Sequence, residues 1–235
     1  MTRKPSFFLV FAIIGILAAF IGFAKTFFIP MGEGKFKAPV AVHVHGFFAF
    51  SWIILFLFQT SLIHFRKVSI HRVLGYFGVI VAIGVSLTMV PAGLFQVQKE
   101  LKEGISDTAY SNLIGVLTSG IMFLGFVVAG IVSRFKPGFH KRFMLLATII
   151  VLWPAWFRFR HYFPAVPRPD IWFAVVLADS LILVSWIVDK ATYGKIHPVL
   201  FYGGLIIIAE HIFEVLMFDN ENWRALAKLI YNWIT

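Results

Sequence analysis

Seven stretches of this chain are each apolar over the roughly 20 residues that an α-helix needs to cross about 30 Å of hydrocarbon. They run over residues 6–28, 39–63, 71–95, 110–133, 140–159, 170–188 and 197–218. Inside lipid no water is present to satisfy backbone N–H and C=O groups, so a segment of this kind must close its hydrogen bonds internally as a helix. The expected fold is therefore all-α, an integral membrane bundle of about seven transmembrane helices over residues 1–218, followed by a short interfacial tail over 219–235. Composition agrees, with 60% hydrophobic and 14% charged residues, far from the roughly 25% charge of an ordinary soluble domain. The first stretch is longer than a signal-peptide core and lacks a small-x-small cleavage site, so it is expected to remain as a spanning helix.

The chain has no cysteine, which excludes thiolate haem, iron–sulfur clusters and Cys-rich zinc sites. The formal net charge of +10 would suggest nucleic acid in a soluble protein, but Lys and Arg here form short clusters between apolar runs. That pattern fits loops facing the anionic lipid headgroups of a bilayer and leaves no nucleic-acid partner to expect. With the N-terminus inside, Arg3, Lys4, Arg66, Lys67, Arg72, Arg134, Lys136, Lys141, Arg142, Lys190 and Lys195 are cytoplasmic, eleven of the 21 basic residues. Seven of those eleven crowd the two tight loops after the second and fourth stretches, whereas the opposite loops mix in Glu33, Glu100, Glu103, Asp107 and Asp170. The expected placement is a bacterial inner membrane, N-terminus cytoplasmic and C-terminus outside. In the tail, Trp223, Leu226, Ala227, Ile230 and Ile234 recur at helical spacing with Arg224 and Lys228 on another face, which reads either as a helix lying in the interface or as a cap on the bundle.

The eight histidines sort by depth. His64, His71, His140 and His197 fall at the inner helix ends, and His43, His45, His161 and His211 in the outer half. Three successive inner hairpins enter the next helix through a basic cluster and then a histidine: Arg66-Lys67 before His71-Arg72, Lys136-Pro137 before His140-Lys141-Arg142, and Lys195 before His197. One reading makes His71 and His140 ligands, with Arg72 and Arg142 neutralising a haem propionate or a lipid phosphate; the other makes them membrane anchors. In the outer half, Glu210, His211 and Glu214 interrupt an otherwise apolar run and share one face at i, i+1 and i+4. Asp179 stands near the middle of the sixth stretch, and Arg158, Arg160 and His161 crowd the end of the fifth. Ionisable groups within the membrane are costly enough to suggest function by default.

Three arrangements suit these residues. Arg158 or Arg160 could pair with Glu210 or Glu214 in a structural ion-pair cluster. His43, His45, His161, His211, Glu210 and Glu214 could supply ligands to zinc, copper or iron, whose sites accept imidazole and carboxylate; His43 and His45, two apart on a helix, cannot both face inward. His197 and His211 are 14 residues apart, about 21 Å of rise with a return to within about 40° of the same face, which lets one helix offer an axial ligand to each of two stacked b-type haems. Gly75, Gly78, Gly120, Gly125, Gly203 and Gly204 are expected contact points for close helix packing, and Trp52, Gln59 and Asn112 are further polar or amphipathic groups within spans.

The combination His45-Gly46, Trp52, Gln59, His71-Arg72-x-Leu74-Gly75, His140-Lys141-Arg142-x-Met144 and His197-Pro198 resembles a family of uncharacterised bacterial polytopic membrane proteins, from about Val42 to Pro198. The two helix entries at His71 and His140 also resemble, more distantly, those of transmembrane b-type cytochromes of the ascorbate/ferric reductase kind. That second resemblance implies a four-helix core holding two b haems between histidine pairs, with a quinone or another redox partner exchanging electrons across the membrane. Only His71 and His140 match its positions; His45 and His211 are proposed from geometry for the outer site. The chain departs from the cytochrome pattern because its fourth stretch contains no histidine.

Three functions follow as expectations. The first is haem b or metal-dependent transmembrane electron transfer. The second is a transporter, proton relay or accessory assembly protein working without cofactor through Asp179, Glu210, Glu214 and Arg158. The third is a metal-dependent membrane enzyme at the outer His/Glu cluster. No lysine between Lys195 and Lys228 is available for a retinal Schiff base, and no glycine-rich loop suits phosphate or dinucleotide binding.

Overall fold

The computed structural model describes residues 6–235, and Arg3 and Lys4 lie outside that range. It is all-α, and seven of its helices are long and apolar enough to cross a membrane. These are α1 Phe7–Gly32, α2 Val40–His64, α3 Val68–Lys102, α4 Asp107–Val132, α5 Pro137–His161, α6 Pro169–Tyr193 and α7 Pro198–Met217. The amphipathic α8, Glu221–Ile234, follows. An odd number of antiparallel spans puts the start of α1 and the end of α7 at opposite ends of the bundle, called here the N side and the C side. Each expected stretch corresponds to one helix. The largest difference is α3, whose 35 residues rise about 52 Å; its last two turns, from Gln96 to Lys102, are polar and run past any hydrocarbon thickness.

Starts and stops follow local chemistry. Ser6 caps α1 by accepting from the Leu9 amide. Pro137, Pro169 and Pro198 occupy first-turn positions, where the missing N–H costs no hydrogen bond. Gly194, at φ 73°, closes α6, a left-handed conformation that glycine adopts without strain.

The hub is α5, with Leu145, Leu146, Ile149, Ile150 and Leu152 fully buried. Lipid offers no hydrophobic drive between helices, so close approach of small residues must supply the contact. A side chain at Gly22 would strike the Ala155 backbone, and one at Gly203 would strike Leu146, so α1 and α7 each lie directly on α5. A similar approach at Gly204 seats α7 on Ile182 and Trp186 of α6. Gly125 is an exception among the expected contact glycines, because it faces open space. From α2, Trp52 donates its indole N–H to Thr148 Oγ1 at 3.1 Å. Around this hub the outward residues are bare apolar groups such as Leu87 and Ile121, 71% and 73% exposed, which only a lipid environment accommodates.

The tail packs on the bundle as a cap. Asn220 caps α8 by accepting from the Asn222 and Trp223 amides. One face docks on the bundle through buried Ala227, Tyr231 against Tyr110 and Lys228 on Asp107 at 3.0 Å. The other leaves Leu226, Leu229 and Trp233 exposed.

Candidate functional site

On the C-side half of the bundle, α6 and α7 bring together four ionisable groups. His211, 2% exposed, donates its Nδ1–H to Asp179 Oδ1 at 2.7 Å. Its other nitrogen, Nε2, lies 3.8 Å from Glu210 Oε2, too far for a hydrogen bond. The indole of Trp153 on α5 sits against the ring at 5.9 Å. Glu210 Oε1 is hydrogen-bonded to the Thr118 hydroxyl of α4, and Glu214 lies one turn further toward the C side, its carboxylate against Gly115. Asp179 Oδ2, Glu210 Oε2 and His211 Nε2 are all buried without a hydrogen-bond partner.

The backbone beside this cluster is irregular. A π-turn over Trp172–Leu177 immediately precedes Asp179, and the Trp153 indole donates to the Ala174 carbonyl inside it at 2.7 Å. Such turns change the helical phase by one residue and often mark functional positions. Here the turn sets the face on which Asp179 meets His211.

Three carboxyls and one imidazole make up the cluster, and among the described residues no Lys or Arg forms an ion pair with any of them. If all three acids were ionised, a net negative charge would sit in low dielectric, which costs several kcal/mol per uncompensated ion. The contacts of the cluster are hydrogen bonds to one another and to Thr118, with no cation among them. The single hydroxyl proton of Thr118 has the Ile114 and Gly115 carbonyls at 3.1 Å as well as Glu210 Oε1.

On the N side the polar chemistry is an ion pair. Arg142 and Asp189 are both about 5% exposed and form a two-pronged pair, Nε to Oδ2 at 2.8 Å and Nη2 to Oδ1. Arg142 Nη1 also donates to the Gly138 carbonyl, and Asp189 Oδ2 accepts from the His197 amide at 3.1 Å. The pair therefore ties α5, α6 and the start of α7. Arg142 is not free for a propionate or a lipid phosphate, contrary to the sequence expectation, because α6 continues to Tyr193 and carries Asp189 inside the bundle.

His197 is a helix cap. Its Nδ1 accepts from the Val199 amide at 3.2 Å, which requires the neutral ring, and desolvation together with nearby Arg142 holds its pKa below the usual 6.5. A folded-state value below the unfolded one means that this contribution to stability is present above about pH 6.5 and lost as pH falls through the lowered value. Acidification below pH 6 is expected to lower the unfolding temperature, and His197→Asn, a cap that does not titrate, should flatten that dependence in a melting series from pH 5 to 8. An unchanged slope would remove His197 as its source.

The other expected site residues are spread out. His71 and His140, in the first turns of α3 and α5, face each other with ring centres 6.2 Å apart and planes at 85°. His140 donates Nδ1–H to the Gly130 carbonyl at 2.8 Å, and His71 Nδ1 is buried without a partner. Arg72 is exposed beside them. His45 is hydrogen-bonded to Thr88 of α3 at 3.1 Å; His43 packs on Phe27 and Phe36; His161 is exposed, its carbonyl accepting from Lys25. Among the described residues no three His, Asp or Glu side chains gather in a way that could hold a metal ion, so the six-residue metal set divides. The expected pairing of Arg158 or Arg160 with Glu210 or Glu214 does not form either: Arg158 bonds Thr26 and the Pro154 carbonyl, and Arg160 bonds the Phe157 carbonyl.

Sequence reasoning overlooked Thr118 and Gly115 as parts of the site. Their signal was spacing, since Asn112, Gly115 and Thr118 fall three apart on one face of α4. No protein-family model, no curated protein and no solved structure matches this chain.

Proposed function

We propose that this multi-pass membrane protein works as a proton relay within the bilayer, with His211 as the carrier between Asp179 and Glu210. The observation that carries this reading is the buried imidazole held by a carboxylate on one nitrogen while its other nitrogen faces a second acid across an unfilled 3.8 Å gap. The tautomer set by Asp179 leaves Nε2 with its lone pair, the form that accepts a proton. A proton leaving Glu210 would produce an imidazolium stabilised by Asp179 on one side and by the new Glu210 carboxylate on the other. The N side would face the cytoplasm of a bacterial inner membrane, where the exposed Arg66, Lys67, Arg134, Lys136 and Lys195 meet anionic headgroups. An infrared pH titration of the purified protein tests the relay: a protonated-carboxyl signal that Glu210→Gln or Asp179→Asn removes supports it, and no such signal at any pH ends it.

A second reading rests on His71 and His140. His71 and His140, whose ring centres lie 6.2 Å apart, are the pair that would hold the iron of a b-type haem. The Gly130 carbonyl on His140 Nδ1 fixes the tautomer that presents Nε2, as outer-shell acceptors do for ligating histidines. A b-type haem between them would supply one-electron chemistry, and exposed Arg72 could meet a propionate. Protein purified from haem-replete cells should then show a Soret band that both His71→Ala and His140→Ala abolish; a colourless preparation removes this reading and leaves the relay standing.

A further inference from the structure

Resting on the relay reading, the structure assigns a direction of access: we infer that protons reach the Glu210–His211–Asp179 cluster from the C side only, down a ladder of carboxyls along one face of α4. At the rim, Glu100 of α3 accepts from Asn112 Nδ2 at 2.6 Å and from Gln96 at 2.6 Å, and Arg160 of α5 attracts it electrostatically. One turn deeper, Glu214 of α7 rests on Gly115, where any side chain would occupy the place of its carboxylate. A further turn down, Glu210 meets Thr118, and from there the path enters His211 and Asp179. Asn112, Gly115 and Thr118 descend about 9 Å along α4, so one helix face carries a polar partner or a space for each acid in turn. These acids come from two other helices, which makes the alignment a property of the packing.

The charged and polar groups along the ladder come from five helices. From α4 come Asn112 and Thr118, from α3 Gln96 and Glu100, from α5 Arg160 and the Trp153 indole, from α6 Asp179, and from α7 Glu210, His211 and Glu214. On α8, Lys228 is committed to Asp107 at 3.0 Å. His211 Nε2, 98% buried and unpartnered, ends the ladder.

Toward the N side the path stops. Asp189 follows Asp179 by ten positions, about 15 Å of α6, and the faces that meet there are Ile182, Leu200, Ile207, Leu146 and Ile149, each at most 1% exposed. The hydroxyls in this layer are committed to their own helices, Ser185 to the Leu181 carbonyl and Thr148 to the Met144 carbonyl. Below it, Asp189 is locked by Arg142. A proton on His211 has acids above it and hydrocarbon below.

Membrane vesicles of the two opposite orientations test this directly, with the interior held at fixed pH and the bath stepped from pH 8 to pH 5. The readout is the infrared carboxyl band assigned by Glu210→Gln and Asp179→Asn. The band should follow the bath when the C side faces it and follow the interior when the N side faces the bath. Glu214→Gln should slow the C-side response at least tenfold, and Gly115→Leu, which displaces Glu214, should slow it similarly. A band that follows the bath equally in both orientations, that follows only the N side, or that responds at full speed in Glu214→Gln overturns the one-sided ladder while leaving the relay intact. Absence of any band removed by Glu210→Gln or Asp179→Asn overturns the relay itself.

Discussion

Arg142→Ala is expected to destabilise the folded bundle by about 3–5 kcal/mol, the range for breaking a buried ion pair by removing one partner. The magnitude comes from what is left behind. Asp189 would keep a carboxylate in a site about 95% removed from solvent, with only the His197 amide at 3.1 Å to stabilise it. Because the pair joins α5 to α6 and anchors the start of α7, the loss should appear as a large drop in unfolding temperature in detergent, with the N-side halves of α6 and α7 gaining amide exchange first. Asp189→Asn in the Arg142→Ala background should recover part of the loss by removing the orphaned charge. The double change Arg142→Met with Asp189→Leu should recover more, since well-packed apolar pairs often replace buried ion pairs at little cost. A melting temperature for Arg142→Ala within a degree or two of the unsubstituted protein would show that water reaches Asp189 from the N side and that the pair contributes little to the fold.

The second large effect concerns proton exchange rather than stability. Asp179→Asn keeps an oxygen that can accept from His211 Nδ1–H at the present 2.7 Å but removes the charge that stabilises the imidazolium. The fold should survive while proton transfer from Glu210 to His211 slows on the order of 100-fold, the lower part of the span for positioned acid–base groups. His211→Gln should remove the transfer altogether, because an amide neither takes nor gives a proton in this range. His211→Ala is a poorer probe, since it also opens a cavity against Trp153, which carries its own cost of a few kcal/mol. Read at the His211 imidazole infrared band after a C-side pH jump, the response should be fast in the unsubstituted protein, slower in Asp179→Asn and absent in His211→Gln, which keeps the Glu210 response because Glu210 lies before His211 on the path. Equal rates in the unsubstituted protein and Asp179→Asn would show that Asp179 does not stabilise the imidazolium.

Much of the architecture was legible from local information. Length and hydropathy decide that a segment spans, and each of the seven expected stretches lies on one helix, with errors confined to the ends. The error on α3 has a simple origin: hydropathy finds the apolar part, whereas a helix can continue into water as far as its polar turns allow. The error on α6 mattered more. Ending it at Val188 put Asp189 in a loop, and the ion pair with Arg142 became invisible.

The candidate site was partly legible for a comparable reason. Glu210, His211, Glu214 and Asp179 stood out because ionisable groups within apolar runs are costly, and that signal needs no partner to be read. Which groups meet is another matter. Arg158 and Arg160 looked like natural counterions for the two glutamates, yet α5 turns them toward Thr26 and the Pro154 and Phe157 carbonyls. His43 and His45 looked like co-ligands of His211 but remain on the far side of α5, one among phenylalanines and the other on Thr88.

The amino-acid sequence by itself determined the class of this protein, its seven crossings and the short set of residues that do not belong in hydrocarbon, because hydrophobic transfer and backbone satisfaction act on each segment alone. Only the tertiary structure decided that Asp179 holds His211, that Arg142 is spent on Asp189, and that His71 faces His140. Those contacts depend on helix rotation and on small-residue approaches such as Gly22 on Ala155 and Gly203 on Leu146. Rotation is set by packing among several helices at once, and a π-turn of one residue before Asp179 is enough to choose which face it presents.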